Sequence, residues 1–243
     1  MAGRVAIVGV GQTHHTSRRD DVNLPEMVGE AVRAALADAQ LSKKDIEAFI
    51  FSNMESFEGL LLPDHGMITE VGAVGKPGLK VTGGGTTGSE AVAEACNLVS
   101  AGLYDITMVI SWQKHDCGDA TAGISAAAVP IAAKGLVVGA VSEFAKQALS
   151  YINQSGATEE HAAMVRLKAD RCACRNPYAH LRLGLSGLED YLQSGYLVWP
   201  IRMLDFCPQS CGACVVILAS EDRAKKIHKK PVWVVDFEVA HQE

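Results

Sequence analysis

The residues most able to do chemistry lie in one glycine-rich stretch, VTGGGTTGSEAVAEACNLVSAG, which runs from Val81 to Gly102. The strand-like run Gly78–Val81 leads into three consecutive glycines and two threonines, and apolar residues at helical spacing follow from Ala91. Enzymes often place a nucleophile or bind an anion at such a strand-to-helix turn, because the amides at a helix N-terminus point outward. Three glycines exceed what a tight turn needs. We therefore favour a functional loop, with a turn for close packing as the alternative.

A dinucleotide-binding loop is a weaker interpretation of the N-terminal glycines. Gly9 and Gly11 follow an apolar strand-like run, but position 14 is His14 instead of the third glycine, and no helix pattern opens directly after it. A tight turn is the simpler prediction.

The cysteines raise the alternative of a metal or iron–sulfur protein. Cys207, Cys211 and Cys214 have the spacing of a radical-type iron–sulfur triad, and the pair at 172 and 174 could add zinc ligands. Cys214 opens an apolar strand-like run, however, where its side chain should face a sheet. Core and loop cysteines are therefore favoured over a metal site.

The triplet His115-Asp116-Cys117 follows the fourth strand-like run. A histidine beside a cysteine could activate a thiolate, but neighbours in sequence rarely face each other, so ordinary loop residues are favoured.

The elements that would position these residues alternate strand and helix through residues 1–112. Strand patterns cover 4–10, 46–52, 78–81 and 106–111, and helix patterns cover 24–40 and the segment from 91 to 99. This alternation predicts an α/β fold with a parallel sheet.

Beyond Trp112 the alternation stops. Residues 114–199 are rich in Ala and Gly and then helical, with helices predicted over 142–155 and 158–175. A strand over 214–219, a short helix over 221–227 and a last strand over 231–239 follow. We therefore predict a domain made of 1–113 and 200–243, split by an inserted loop region at 114–199.

Composition excludes several classes of function. The 243 residues carry a net charge of −6 and no basic stripe with aromatics, which disfavours nucleic-acid binding. No apolar run approaches the length of a membrane span. Seven cysteines without a secretory pattern indicate a reducing, cytoplasmic location.

The chain resembles the N-terminal half of the thiolase superfamily, closest to the sterol-carrier-protein-type thiolases and the thiolase-like lipid-transfer aldolases. VAIVGVGQT resembles the first strand of the family, and KVTGGGTTGSEAVAEACNLVSAGLYDITMV resembles its nucleophile elbow, helix and next strand. RNPYAHLR and YLQSGYLVWPIRMLDFCPQSCGACVVILASEDRAKK resemble the end of the loop domain and the return strand. The resemblance implies a three-layer α/β/α half with an inserted, mainly helical loop region.

The same resemblance implies that the usual nucleophile is missing. The family pattern V-N-x-x-C-x-S-G matches residues 81–88 and places its cysteine at Gly85, while Cys96 lies about three helical turns further on. The amides of Thr86, Thr87 and Gly88 would still stabilise an enolate oxygen. A retro-aldol cleavage of a β-hydroxyacyl-CoA needs no thiolate and fits this elbow. A degenerate, non-catalytic subunit fits it equally.

Further expectations follow from the resemblance. The site floor would be Gly84 to Gly88, and His161, Arg166, Lys168 and Asn176 of the loop region would lie near a coenzyme A thioester bound as substrate, with no other cofactor and no metal. The family's acid–base histidine belongs to a C-terminal half, so we expect a homo- or hetero-oligomer with another thiolase-like chain, or a truncated product. A zinc-ribbon/OB-fold companion is a further candidate partner. The alternative function is a scaffold or acyl-CoA-binding subunit of a thiolase complex.

Overall fold

The computed structural model describes residues 3–127, 139–227 and 230–240, and a mixed sheet of six strands lies at its centre. The strands in chain order are β1 (Val5–Gln12), β2 (Ala48–Ser52), β3 (Gly78–Val81), β4 (Ile106–Gln113), β5 (Tyr196–Val198), β6 (Ile201–Arg202), β7 (Gly212–Ser220) and β8 (Val232–Trp233). The sheet order is β3-β2-β4-β7-β1-β8, and β5 pairs with β6 in a separate two-stranded ribbon.

The four N-terminal strands run in one direction, as the alternating pattern predicts, but the sheet is not parallel throughout. β2 is parallel to β3 and to β4, whereas β7 lies antiparallel between β4 and β1. β7 runs antiparallel to β4 because the loop region begins and ends at the same edge of the sheet. Gln113, at the end of β4, pairs with Gly212, at the start of β7, so the chain leaves and re-enters the sheet at the same edge.

Helices cover both faces of the sheet. They are α1 (Leu24–Ala39), α2 (Glu55–Glu58), α3 (Ile68–Val71), α4 (Thr87–Ser100), α5 (Ala120–Ala127), α6 (Gly139–Ser155), α7 (Glu159–Ala173), α8 (Leu188–Leu192) and α9 (Glu221–Ile227). One apolar core joins α1, α3 and α9 to the sheet, and a second joins α4 to the opposite face. The predicted three-layer α/β/α arrangement is confirmed.

The N-terminal glycines lie inside β1 and not in a turn, which corrects the sequence-based prediction. A Cβ atom on Gly11 would come within 2.1 Å of the Ala31 carbonyl oxygen, and one on Gly9 within 2.7 Å of the Ala35 carbonyl oxygen. Both glycines therefore allow α1 to pack closely on the strand.

The last predicted strand is shorter than expected. β8 pairs with β1 through Ala6 with Trp233 and Ile7 with Val232, and one more backbone bond joins the Val234 amide to the Val5 carbonyl. β1 begins at Val5, so the described residues 235–240 have no partner on this strand.

The loop region is mainly helical, as expected, and contains α5 to α8 and β5, whose partner β6 lies just beyond residue 199; residues 128–138 lie outside the described part of the chain. Among the residues that the structure describes, no helix is both long and apolar enough to cross a membrane.

Candidate functional site

A cavity of about 290 Å³ lies at the edge of the sheet where the carboxyl ends of β2 and β4 meet the N-terminus of α4. We call it the elbow cavity. The elbow contributes Gly84, Thr87 and Gly88 to its lining, and the strand ends contribute Ser52, Asn53, Ser111 and Cys214, with His15 at one side. Open α/β sheets commonly bind ligands at this edge.

Polar side chains form the floor of this cavity because of strand register. Gln12 pairs with Cys214, Cys214 with Ser111, and Ser111 with Ser52, so the four residues share one rung on the α4 side of the sheet. The Ser52 and Ser111 hydroxyl oxygens are 2.8 Å apart. The apolar core beneath α4 begins one rung lower, with Ile50 and Val109. The register therefore brings a small polar surface beneath the helix N-terminus.

The glycine-rich loop is held by its own hydrogen bonds. Gly84 has a φ of 65°, a conformation that glycine adopts without steric cost. The Thr87 hydroxyl donates to the Gly84 carbonyl at 2.6 Å and accepts from the Gly83 amide at 3.0 Å. The amides of Thr86 and Thr87 donate to the carbonyls of Gly83 and Gly84. These two amides already have partners inside the loop, and Gly88 is a further residue of α4 that borders the cavity.

Gly85 and Thr86 do not border the elbow cavity. A Cβ atom on Gly85 would meet no atom within 4 Å, so this position faces open space. The Thr86 hydroxyl donates to the Glu90 carboxylate at 2.5 Å. Glu90 thus places a negative charge at the helix N-terminus, where it competes with any bound anion.

His15 is a half-buried side chain of the cavity wall. Its Nδ1 lies 3.3 Å from Gln12 Nε2, and its ring packs against Gly212, where a Cβ atom would come within 2.7 Å of the ring. Burial, together with the nearby His180 and His14, lowers the pKa of His15. The ring is therefore neutral at pH 7.

Glu58 is a buried carboxyl directly behind the cavity lining. It accepts hydrogen bonds from Asn53 Nδ2 at 2.9 Å, from Trp112 Nε1 at 3.4 Å and from the Lys114 amide at 2.7 Å. Burial raises the pKa of Glu58 to about 7, against the lowering effect of these donors. Asn53 and Trp112 both border the cavity, so they connect this carboxyl to it.

The loop-region residues singled out from the sequence lie elsewhere. His161 accepts hydrogen bonds as part of the cap of α7 and borders a cavity of about 530 Å³. Arg166 borders another, of about 430 Å³, and its Nε has no partner among the described residues. Lys168 and Asn176 are exposed. None of the four lines the elbow cavity, so their contact with coenzyme A stays a prediction.

The cysteines of the candidate triad are spread over different environments. Cys207 is exposed, Cys211 is buried with its thiol 3.5 Å from the Ser17 carbonyl oxygen, and Cys214 borders the elbow cavity. Burial raises the pKa values of the Cys211 and Cys214 thiols. Within ranges 3–127, 139–227 and 230–240, no cluster of three or more His, Cys, Asp or Glu side chains could hold a metal ion.

The His115-Asp116-Cys117 triplet does not form a catalytic unit. His115 stacks on Phe57 with ring centroids 5.4 Å apart, and Cys117 is exposed. Burial opposes ionisation of Asp116, but the Lys114 ammonium at 2.8 Å and the Arg19 amide hold its pKa below the usual range.

Sequence reasoning missed several residues of the cavity lining, among them His15, Ser52, Asn53 and Ser111. Each lies at the end of a predicted strand or just beyond it, on the edge where parallel strands end. Applying the rule that ligands bind at that edge to every strand would have found them.

Comparison with known proteins finds curated relatives that act on or carry related compounds by their names, and solved structures with a similar fold. No family model matches the chain. The chain is 29% identical over 240 residues to an acetyl-CoA acetyltransferase of Methanothermobacter thermautotrophicus, an alignment that covers 95% of this chain and 60% of the relative. It is 28% identical over 246 residues to sterol carrier protein 2 of Bos taurus, covering 95% of this chain and 44% of that protein. The 17-hydroxy-3-oxo-4-pregnene-20-carboxyl-CoA lyase of Mycobacterium tuberculosis is 26% identical over 248 residues, covering 96% and 62%.

Solved structures agree on the fold. The Ltp2-ChsH2(DUF35) aldolase superposes with a TM-score of 0.76 at 24% identity, over 95% of this chain and 59% of that one. Human mitochondrial 3-ketoacyl-CoA thiolase in complex with CoA superposes with a TM-score of 0.65 at 15% identity, over 93% and 67%. The chain thus spans between two fifths and two thirds of the length of the curated relatives described here. Its homologues are members of the thiolase superfamily, and it has the thiolase-like α/β fold.

Proposed function

We propose that the chain is a subunit of a thiolase-like enzyme that makes or breaks a carbon–carbon bond beside an acyl-CoA thioester. Retro-aldol cleavage of a β-hydroxyacyl-CoA is the reaction that it fits better than cysteine-dependent thiolysis. One observation carries this choice: the elbow and its polar cavity are present, while the position that matches the family's cysteine is Gly85, outside the cavity. Relatives that include a pregnene-carboxyl-CoA lyase and a steroid side-chain-cleaving aldolase support it.

In this reaction the β-hydroxyl loses its proton to a base and the Cα–Cβ bond breaks. The electron pair of that bond becomes the enolate of a shorter acyl-CoA, a ketone or aldehyde leaves, and the enolate then takes a proton at Cα. The developing charge lies on the thioester oxygen, so hydrogen-bond donors placed there stabilise the transition state.

Two groups of this chain suit that oxygen. Gly88 brings a backbone amide at the N-terminus of α4 to the cavity. Neutral His15 supplies a ring N–H: when Gln12 Nε2 donates to Nδ1, the ring proton is on Nε2. In this arrangement His15 is a donor and not the base.

The base is expected from the other half of a thiolase-like fold. The thiolase resemblance assigns the acid–base histidine to the half of the fold that this chain does not include. Val10 and Leu79 are exposed apolar side chains near the α4 side, where that half could pack. The Ltp2-ChsH2(DUF35) aldolase is named as a pairing of two proteins, which supports a companion of that kind here.

The alternative, an acyl-CoA-binding subunit without catalysis, has its own support. The Thr86 and Thr87 amides are used inside the loop, and the Glu90 carboxylate lies at the helix N-terminus. These features weaken an oxyanion site.

Native mass spectrometry of the untagged protein from its own cell extract tests the proposal first. The complex found should then cleave β-hydroxyacyl-CoAs, with the shorter acyl-CoA and the carbonyl product both detected by mass. A stoichiometric complex with that activity supports the enzyme. Acyl-CoA binding without either product favours the non-catalytic subunit.

A further inference from the structure

Two serine hydroxyls on the floor of the elbow cavity bond to each other. Ser52 ends β2 and Ser111 lies opposite it on β4, with the two Oγ atoms 2.8 Å apart. Among the described residues, neither hydroxyl has another hydrogen-bond partner. One of the two therefore donates to the other, and the one that accepts keeps its own proton for a further bond.

Burial decides the direction of this hydrogen bond. Ser52 is only 1% exposed, whereas Ser111 is half-buried. If Ser111 were the donor, the Ser52 proton would be buried without an acceptor, which is costly. Ser52 therefore donates, and the free hydroxyl proton belongs to Ser111.

The side chain of Ser111 faces the cavity. β4 is paired with β2 on one side and with β7 on the other, so the exposed part of this residue is its side chain. A Cβ atom on Gly88 would lie 3.9 Å from Ser111 Oγ, and both residues border the elbow cavity. Since Ser111 accepts from Ser52, its own O–H bond points elsewhere, beside the N-terminus of α4.

The donors of the glycine-rich loop are already in use. The amides of Thr86 and Thr87 donate within the loop, and the Thr87 hydroxyl donates to the Gly84 carbonyl. Ser111 therefore supplies a donor that the loop itself does not, beside a helix N-terminus, where negative charge is stabilised.

We propose that Ser111 is a catalytic residue whose hydroxyl donates a hydrogen bond to the thioester oxygen, and that Ser52 is the positioning residue that orients it. The inference rests on the proposed function and names a side chain that binds the enolate. The Ser111 hydroxyl keeps its proton throughout, and the β-hydroxyl of the substrate stays free to give its own proton to the base. The hydrogen bond from Ser52 also polarises the Ser111 hydroxyl, which strengthens its bond to the enolate.

The test compares acetyl-CoA with ethyl-CoA, a thioether in which a methylene replaces the carbonyl group. Calorimetric titration of the purified protein, with any chain that co-purifies, gives the ratio of the two dissociation constants. The natural sequence should bind acetyl-CoA more tightly. Ser111→Ala should lower this preference about fivefold, the worth of one hydrogen bond. An unchanged preference in Ser111→Ala overturns the role of Ser111.

A second substitution separates positioning from a structural role. Ser52→Ala should lower the preference about twofold, because the Ser111 hydroxyl then turns freely. In the Ser111→Ala background it should lower the preference no further, since Ser52 acts only through Ser111. An equal drop in both backgrounds would indicate a structural role and overturn the part given to Ser52.

Ser220→Ala is the matched control, because Ser220 ends β7 away from the cavity and its hydroxyl bonds to Asp105. It should keep the original preference, and circular dichroism verifies that each variant is folded. If Ser111→Ala does not fold, Ser111→Thr and Ser111→Val decide the question, since both are strand formers of one shape that differ in the hydroxyl. Equal binding of the two compounds by the natural sequence overturns the role of Ser111 alone. Failure to bind either one overturns the proposed function itself.

Discussion

The elbow cavity and the cavity bordered by His161, here called the loop-region cavity, differ in size and in origin. The loop-region cavity is the larger, at about 530 Å³, yet every residue that lines it comes from one stretch of chain, 148–205. The elbow cavity holds about 290 Å³ and draws its walls from five separate segments between His15 and Cys214. A large volume by itself shows only that neighbouring helices leave a gap between them. Convergence of distant segments at the ends of strands is the better sign of a functional site.

The polar groups of the two regions also differ. In the loop region, Arg202 pairs with Glu159 at 3.2 Å, and the Tyr191 hydroxyl donates to Asp205 at 2.9 Å. At the elbow, among the described residues, buried Glu58 forms no salt bridge and Asn53 Oδ1 has no hydrogen-bond partner. Arg166 Nε and Arg202 Nε of the loop region also have no partner among the described residues, so the two regions differ in their ion pairs and not in whether every polar atom is paired.

The largest effect that we predict is a pH dependence of stability due to Glu58. Its pKa is raised from 4.5 to about 7 in the folded protein, so the folded state binds the proton more tightly than the unfolded state. The stabilisation is fully present below pH 4.5 and is lost as the pH rises through 7. Relative to Glu58→Gln, the free energy of unfolding should fall by at most about 3 kcal/mol over this range. Urea unfolding at several pH values measures it.

Asp170 of the loop region provides the opposite case for the same experiment. Burial opposes its ionisation, but the amides of Leu185 and Leu183 donate to it at 2.8 and 2.9 Å and hold its pKa below the ordinary value. The contribution of Asp170 to the free energy of unfolding should be fully present above the pKa that this carboxyl has in the unfolded chain. It should be lost as the pH falls through the lower pKa of the folded protein. Equal pH dependence of Glu58→Gln and Asp170→Asn would contradict this contrast between the regions.

The second prediction concerns which cavity holds the reacting acyl group. Gly88→Met should fill the elbow cavity and lower kcat/KM for carbon–carbon cleavage of the β-hydroxyacyl-CoA by about 100-fold. Gly88 is on α4, where methionine is a better helix former than glycine, so folding should not suffer.

The matched control is Ala162→Met in the loop-region cavity, whose side chain would fill the larger space in the same way. It should change cleavage little. A greater loss with Ala162→Met than with Gly88→Met would place the acyl group in the loop region.

The smallest predicted effect tests the elbow geometry. Gly85→Cys places a thiol where the family has its nucleophile, and the open space at this position accommodates it. The N-terminus of α4 should lower the pKa of that thiol, and adding Glu90→Gln should lower it further, by about one unit at most. The pH dependence of alkylation measures both. Alkylation no faster than that of buried Cys96 would contradict the match of this elbow to the thiolase pattern.

Much of the fold was predictable, because apolar periodicity dictates which residues a sheet and its helices bury. α1 begins at Leu24, where the apolar periodicity over 24–40 predicts it, and β3 has its expected bounds. The direction of β7 was not predictable. An apolar pattern indicates that a strand exists, but not which strands it pairs with or in which direction it runs.

The site was less predictable than the fold. The glycine-rich elbow marked one wall of the cavity, but Asn53 and Glu58 carry no local motif. Both are buried, Asn53 donates to Glu58, and Glu58 accepts from Trp112, far along the chain. Such a network depends on tertiary packing, so the spacing of residues along the sequence does not reveal it.

The position of β7 has a consequence for how the site comes into being. β7 lies between β4 and β1, and the bonds that it makes, such as the Ala213 amide to the Thr13 hydroxyl, join residues 200 positions apart. Contacts so distant in sequence form slowly, because a long loop must close before they stabilise anything. During synthesis, the facing edges of β1 and β4 have no partner until β7 has left the ribosome. We expect the elbow cavity to be among the last parts of the molecule to form, and the unpaired edges to be the point at which nascent chains associate wrongly.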